Sequence, residues 1–154
     1  MAYTLSDLRD KVELHLLDAT NLIWSTSIID EAIRAALADL SHVYGQVLTL
    51  NGLDGALENN FDDLDAYVII QGAVGYALTF RVVGRYEEAT PEPALVPSVA
   101  AQAEKSMVEF RAMLKISDQR LKQTTSNDPH APWAWTEYEN SRRSASSETE
   151  NGGF

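Results

Sequence analysis

The stretch that decides the fold is Phe61–Tyr86, FDDLDAYVIIQGAVGYALTFRVVGRY, the most apolar part of the chain. Its apolar residues recur at three- and four-residue steps, the period of a helix with an apolar face. Asp62 or Asp63 can cap the start, because a short side-chain oxygen accepts from the free N–H groups of a first turn. A helix with two apolar faces needs neighbours on two sides, so we predict that this is the central helix. One face comprises Leu64, Val68, Ala73 (or Gln71), Gly75, Leu78 and Val82, and the other comprises Tyr67, Ile70, Val74 and Ala77.

Three glycines, Gly72, Gly75 and Gly84, interrupt this predicted helix. Each lowers helix propensity by about 1 kcal/mol relative to alanine. We predict that the compensation at Gly72 and Gly75 is close packing of another helix or of a neighbouring subunit. The alternative interpretation is that the glycines are merely tolerated.

Two helices are predicted before the central one. The segment Thr4–Asp7 has capping-box spacing, with Asp in the place usually held by Glu, and a helix follows to about Leu17. A second helix is predicted to begin at Ser25 or Ser27, where Ser27–Asp30 again has capping-box spacing. The turn cluster Asn51–Gly55 then marks a connection between helices.

A fourth helix is predicted after a proline-rich linker. It begins at Pro97 or Ser98, because proline suits a first helical turn, and it ends near Thr124. The sequence therefore predicts an all-α fold over residues 1–125, an antiparallel bundle of about four helices.

Residues 126–154 have a different composition and are predicted to form an extended C-terminal arm. The end of this segment is rich in Ser, Glu and Gly, too polar to build a core of its own. Its tryptophans alternate, which places both rings on one side of an extended strand. Trp and Tyr often carry the binding energy of protein contacts. An alternative is that these rings fold back on the bundle. The predicted partner-binding residues are Trp133, Trp135, Tyr138, Arg142 and Arg143.

The composition excludes several classes of protein. The net charge is −11, from 12 basic and 23 acidic residues, and tight nucleic-acid binding needs the opposite sign. The absence of cysteine excludes disulfides, thiolate metal sites and cysteine nucleophiles. We find no apolar run near the ~20 residues of a membrane span, and no basic start followed by an apolar signal core. The expectation is a soluble protein without a membrane partner.

No motif in the sequence specifies a reaction. There is no glycine-rich phosphate loop, no Gly-x-Ser-x-Gly elbow, and no His-x-x-x-His or Glu-x-x-His pair. His15 and His42 could meet if the first two helices pack antiparallel, but we interpret them as ordinary helix histidines. Acidic residues around Asp62 fit helix capping and do not match a calcium loop. We therefore predict no catalytic residue, no cofactor and no metal site.

Three stretches carry a resemblance to a known family. The opening Tyr3–Arg9 (YTLSDLR), the segment Trp24–Ser41 (WSTSIIDEAIRAALADLS) and the Ala- and Gly-rich helix Tyr67–Val83 resemble the head–tail connector (adaptor or neck) proteins of tailed bacteriophages. In the second segment, an aromatic-plus-Ser entry leads to an Asp/Glu-x-x-Ile-x-x-Ala pattern. The resemblance covers about residues 3–125.

The resemblance implies a structural virion protein and no enzyme. Such proteins form rings, commonly of twelve subunits, below the portal protein, where they extend the DNA channel and dock the tail or the next neck protein. The C-terminal arm with Trp133 and Trp135 would reach the portal or a neighbouring subunit. DNA would pass an acidic channel without specific binding during genome ejection. The implied location is the virion neck, after assembly in the host cytoplasm.

Two other classes remain open from the sequence. One is a non-viral helical protein-interaction module that binds a partner through its aromatic C-terminal tail. The other is an enzyme built on a helical bundle, which would need a polar cluster converging on the core.

Overall fold

The protein is described by a computed structural model that covers residues 3–18, 20, 22–87 and 95–124. The chain divides into two compact units, of which the first is Met1–Asp118. The helices belong to this first unit, except that the last helix runs on to Thr124. The all-α prediction is confirmed, and the described residues include no strand. The predicted arm at 126–154 lies outside them. The helices are α1 (Leu5–Leu16), α2 (Thr26–Tyr44), α3 (Asp63–Glu87) and α4 (Leu95–Thr124).

Helix α1 begins with the predicted capping box. The Asp7 N–H donates to the Thr4 hydroxyl over 3.3 Å, and the Thr4 N–H donates to the Asp7 carboxylate over 2.8 Å. This exchange satisfies donors that a first helical turn leaves without partners. The helix ends before Leu17, which adopts a left-handed conformation with φ 56°.

The capping box predicted at Ser27–Asp30 is wrong. Helix α2 begins after Ser25, which occupies the cap position without a side-chain hydrogen bond. Asp30 instead forms an ion pair with another helix, because its two carboxylate oxygens each accept a hydrogen bond from the Arg9 guanidinium over 2.6 Å. This bidentate pair ties α1 to α2. At the other end of α2, Gly45 has φ 64°, the left-handed conformation that commonly ends a helix.

The start of α3 confirms one of the two predicted caps. The Asp65 N–H donates to the Asp62 carboxylate over 2.9 Å, and the helix begins at Asp63. Two residues assigned to its apolar faces, Leu64 and Tyr67, are exposed, so this part of the prediction is wrong. Leu78 lies on the same side of α3, closer to the end of the helix, and is buried. Neighbouring residues therefore cover this side of α3 only after its first two turns.

Helix α3 runs antiparallel to α2. Against α2, the Tyr44 hydroxyl donates to Asp65 over 2.8 Å and the Tyr76 hydroxyl donates to Asp39 over 2.6 Å, so residue numbers rise in one helix as they fall in the other. Burial, followed by the bond to Asp39, raises the pKa of Tyr76 to about 12.

Helix α4 lies against α3 at Gly72 and Gly75, the two glycines singled out from the sequence. A Cβ at Gly72 would lie 2.5 Å from the Phe110 ring and 2.8 Å from the Cβ of Ala36, and one at Gly75 would lie 2.7 Å from the Met107 sulfur. Close approach of α2, α3 and α4 therefore depends on the missing side chain at Gly72.

Gly72→Ala is expected to lower the free energy of unfolding despite its better helix propensity. Overpacking costs about 1–3 kcal/mol, against about 1 kcal/mol gained from propensity. Neither neighbour can retreat easily, because Phe110 and Ala36 are fully buried. Gly84→Ala is the matched control, since a Cβ there meets nothing within 4 Å and only the propensity gain applies. Urea unfolding followed by circular dichroism should give opposite signs for the two variants. A stabilised Gly72→Ala protein would contradict the expectation.

Two other expectations require correction. Helix α4 begins at Leu95, before the predicted Pro97, because a proline in the first turn lacks only an N–H that has no helical partner. By length and composition, Asp63–Gly84 would also qualify as a membrane span, with mean hydropathy 1.4, although the sequence reading found no such stretch. Of this stretch, 56% is buried inside the protein, as is usual for a core helix.

Candidate interaction surfaces

The described residues contain no cluster suited to metal binding. No group of three or more His, Asp or Glu side chains among them is placed to hold an ion. His15 lies near the end of α1 and His42 near the end of α2, and both are exposed. The start of α1 lies beside Asn51, beyond the end of α2, because the Leu5 N–H donates to the Asn51 carbonyl over 2.9 Å. The two histidines therefore occupy opposite ends of the helix pair and do not meet.

Asp18 organises the connection between α1 and α2. Its carboxylate accepts the N–H groups of Leu22 over 3.1 Å and of Ile23 and Trp24 over 2.8 Å each. These bonds, with that of Trp24 the largest contribution, hold the pKa of Asp18 below its ordinary value. The buried carboxylate thus fixes the path of three consecutive residues.

This path turns one aromatic residue inward. Trp24 is buried, and its indole N–H donates to the Ala77 carbonyl of α3 over 3.1 Å. The Arg81 guanidinium lies over the indole ring, 5.3 Å from its centroid, and also donates to the Ile23 carbonyl. Trp24 therefore anchors the connection to α3.

Several large apolar side chains in and beside this connection are exposed. Leu17 is 88% exposed and Leu22 is 85% exposed. Leu17 also holds a left-handed backbone that favours glycine, so neither local conformation nor the core requires leucine there. Exposed apolar groups that lie together mark interaction sites on soluble proteins. We call this surface the connector-end patch, comprising Leu14, Leu17, Leu22, Ile23 and Ile28.

Acidification is expected to weaken the fold through Asp18. Because its pKa is lowered in the folded state, the ionised carboxylate stabilises the fold above the ordinary Asp pKa of about 4. That contribution is lost as the pH falls through the lowered pKa. Asp18→Asn cannot accept all three bonds, so we expect lower stability at pH 7 and a weaker dependence on pH below about 4.

Urea unfolding at a series of pH values tests this expectation. Asp10→Asn is the control, because the exposed Asp10 carboxylate makes no hydrogen bond among the described residues. Equal pH profiles for Asp18→Asn and the unmodified chain would show that Asp18 does not carry the effect.

A second surface lies at the opposite end of α2, around the connection to α3. A cleft of about 370 Å³ opens there, with an acidic rim supplied by Glu58, Asp62 and Asp63. Its other lining residues are Tyr3, Asn51, Leu57, Asn59 and Phe61. Val47 and Leu57 are exposed at this end. The protein therefore presents exposed apolar side chains beyond both ends of α2.

Two asparagines hold this second connection in place. The Asn59 amide accepts the Asn51 N–H over 2.6 Å and donates to the Tyr3 carbonyl over 2.5 Å. The Asn60 amide accepts the Thr49 N–H over 2.7 Å and donates to the Val47 carbonyl over 2.9 Å. In this connection, the two side-chain amides make the hydrogen bonds to backbone N–H and carbonyl groups that a neighbouring strand would make in a sheet.

The partner-binding residues predicted in the C-terminal arm, Trp133, Trp135, Tyr138, Arg142 and Arg143, all lie outside the described residues. Sequence reasoning missed the connector-end patch. The available signal was the occurrence of three leucines, Leu14, Leu17 and Leu22, around the predicted end of the first helix.

Comparison with known proteins adds no relative. No protein-family model, no curated protein and no solved structure matches the chain.

Proposed function

We propose that the chain is a head–tail connector of a tailed bacteriophage, a structural protein of the virion neck. In this proposal, copies form a ring below the portal protein, extend the DNA channel and dock the next neck or tail protein. The sequence resemblance of Tyr3–Arg9, Trp24–Ser41 and Tyr67–Val83 motivates the proposal. The all-α fold is compatible with it.

The observation that carries the proposal is the exposure of apolar side chains beyond both ends of α2. A ring in a stacked neck is contacted from above and from below, and exposed apolar patches on a soluble protein mark interaction sites. The connector-end patch offers one such surface, and Val47 and Leu57 beside the acidic cleft offer the other.

The acidity of the chain also supports the proposal. A net charge of −11 repels DNA phosphates, so a channel wall of this composition lets a genome slide without binding it. Among the described residues, the acidic groups include the exposed Asp10, Glu58 and Asp62.

Native mass measured by light scattering tests the proposal. Twelve copies of the 17.0 kDa chain would weigh about 204 kDa in a closed ring. The purified chain is measured alone and after mixing with a purified bacteriophage portal ring. A ring-sized particle, or co-migration with the portal, is the expected result. A monomer that ignores the portal over the accessible concentrations would count against the connector and favour a helical interaction module.

The arm has its own expected result. Replacing Trp133 and Trp135 with alanine should weaken co-migration with the portal while leaving helix content unchanged, because tryptophans often dominate such contacts. Helix content, by circular dichroism, and co-migration with the portal are measured on the same preparations. Loss of helix content would instead place the two rings in the core of the fold.

A further inference from the structure

An Asn-Gly sequence lies at the contact between the start of α1 and the connection that follows α2. Asn51 is followed by Gly52, whose φ of 90° lies in the left-handed region that favours glycine. Asparagine before glycine is chemically reactive, because glycine has no Cβ to hinder the approach of its backbone nitrogen to the asparagine side chain. The surroundings of this pair in the fold therefore decide whether it reacts.

The reaction is deamidation through a cyclic imide. The Gly52 nitrogen loses its proton to water or hydroxide and attacks the side-chain carbonyl carbon of Asn51, and ammonia leaves as the new C–N bond closes the ring. Water then opens the ring at one of its two carbonyl carbons, which gives either aspartate or isoaspartate. In isoaspartate the main chain runs through the former side chain. The net change consumes water and releases ammonia, so no oxidant or cofactor is needed.

Hydrogen bonds hold the backbone of both reacting residues in the folded chain. The Asn51 N–H donates to the Asn59 side chain over 2.6 Å, and the Asn51 carbonyl accepts from the Leu5 N–H over 2.9 Å. The attacking group is also engaged, because the Gly52 N–H donates to the Ala56 carbonyl over 2.9 Å. Attack on the Asn51 side chain requires that this last bond breaks and that the main chain turns. The fold therefore withholds the nucleophile.

The Asn51 side chain, by contrast, is accessible. It lines the cleft of about 370 Å³ beside the start of α3 and makes no hydrogen bond among the described residues. Water can thus reach the carbon that is attacked, whereas the attacking nitrogen is held. Opening of the backbone at Asn51 and Gly52 is consequently the step that controls the reaction.

We propose that Asn51 is a modification site whose deamidation is controlled by folding, so that chains that open at this contact convert the asparagine to aspartate or isoaspartate. The isoaspartate product does not fit the fold. It lengthens the main chain by one carbon before Gly52, and it turns the carbonyl that accepts the Leu5 N–H into a free carboxylate. Little room exists for this change, because a Cβ at Gly52 would lie 3.3 Å from the Leu5 Cβ. The inference is independent of the proposed ring function.

Peptide mapping by mass spectrometry tests the control by folding. The full chain is kept at mildly alkaline pH with and without guanidinium chloride, and conversion of Asn51 is followed over time. A synthetic peptide of residues 47–56, kept in both solutions, corrects for the effect of the denaturant on the chemistry itself. Conversion in the folded chain is expected to be more than about tenfold slower, equal to an opening free energy above about 1.4 kcal/mol. Equal corrected rates in the two solutions would overturn the proposal.

A pair of variants tests the hydrogen bonds around the site. Asn59→Ala removes the acceptor of the Asn51 N–H, so conversion of Asn51 without denaturant should become faster. Asn60→Ala is the matched control, because the Asn60 amide bonds Thr49 and Val47 and neither reacting residue. Circular dichroism checks that both variants keep their helices. Acceleration by Asn60→Ala as large as that by Asn59→Ala would count against this assignment, and if Asn59→Ala loses its helices the comparison with the denatured chain decides.

Refolding tests the consequence of the modification. The chain has a second Asn-Gly sequence at Asn151, so Asn151→Gln leaves only the pair at Asn51, and Asn51→Gln leaves only the other. Both variants are aged in guanidinium chloride, diluted into buffer and compared by circular dichroism with samples that were not aged. Asn151→Gln should lose recoverable helix content in proportion to its isoaspartate fraction, and Asn51→Gln should recover. Complete recovery of an extensively modified Asn151→Gln chain would contradict the expected misfit.

Discussion

Phe110→Ala is expected to lower the free energy of unfolding by about 3–5 kcal/mol, the usual cost of removing a buried aromatic ring. Phe110 is fully buried and fills the space above Gly72 beside Ala36. Its ring also meets the Tyr76 ring edge-on, with centroids 6.2 Å apart and an interplanar angle of 70°.

Guanidinium unfolding followed by circular dichroism measures this loss. Val108→Ala on the exposed side of α4 is the control, with an expected change within about 0.5 kcal/mol. The effect of Gly72→Ala should also become smaller in the Phe110→Ala background, because the added methyl group then meets Ala36 but no longer the ring. Strictly additive effects of the two substitutions would contradict direct packing of Phe110 on Gly72.

Trp24→Ala is expected to cost about 3–5 kcal/mol for the same reason. Trp24 is the anchor of the α1–α2 connection on α3, through its buried indole and its bond to the Ala77 carbonyl. Trp24→Phe keeps much of the apolar area and loses the hydrogen bond, so we expect a loss of about 1 kcal/mol from that bond and a further loss from the smaller ring.

The neighbouring residue supplies the control for Trp24. Leu22→Ala should leave stability nearly unchanged, because the Leu22 side chain is largely exposed. Urea unfolding of the three variants in parallel makes the comparison. If Leu22→Ala lowered the free energy of unfolding as much as Trp24→Ala, the assignment of Trp24 as buried and Leu22 as exposed would be wrong.

Local patterns in the sequence predicted the helices well. The capping box at Thr4–Asp7 and the cap at Asp62 depend only on residues three apart, so spacing alone identifies them. The same spacing failed at Ser27–Asp30, because Asp30 is claimed by Arg9 of another helix. Local rules cannot anticipate a tertiary partner that competes for the same carboxylate.

Tertiary placement of apolar residues was harder to predict. Periodicity put Leu64 and Tyr67 on apolar faces of α3, but it cannot show where along a helix its neighbours begin. Leu48, Leu50 and Leu53 belong to the core although they lie in an irregular connection without helical period. Their burial depends on the Asn59 and Asn60 amides, which fix a path that no repeating pattern marks.

The candidate surfaces were predicted least well. Exposed leucines such as Leu17 and Leu22 are apolar like core residues, and periodicity alone does not show that they are exposed. Sequence reasoning directed attention to Trp133 and Trp135, and that prediction stays open.

The contact between Gly72 and Phe110 also orders events during synthesis. The three helices before α4 leave the ribosome first, and the antiparallel contact between α2 and α3 joins consecutive helices, which favours rapid folding. Phe110 emerges 38 residues after Gly72, a delay of about 2–8 s at 5–20 residues per second. For that interval the nascent chain carries an open apolar groove along Gly72 and Ala36.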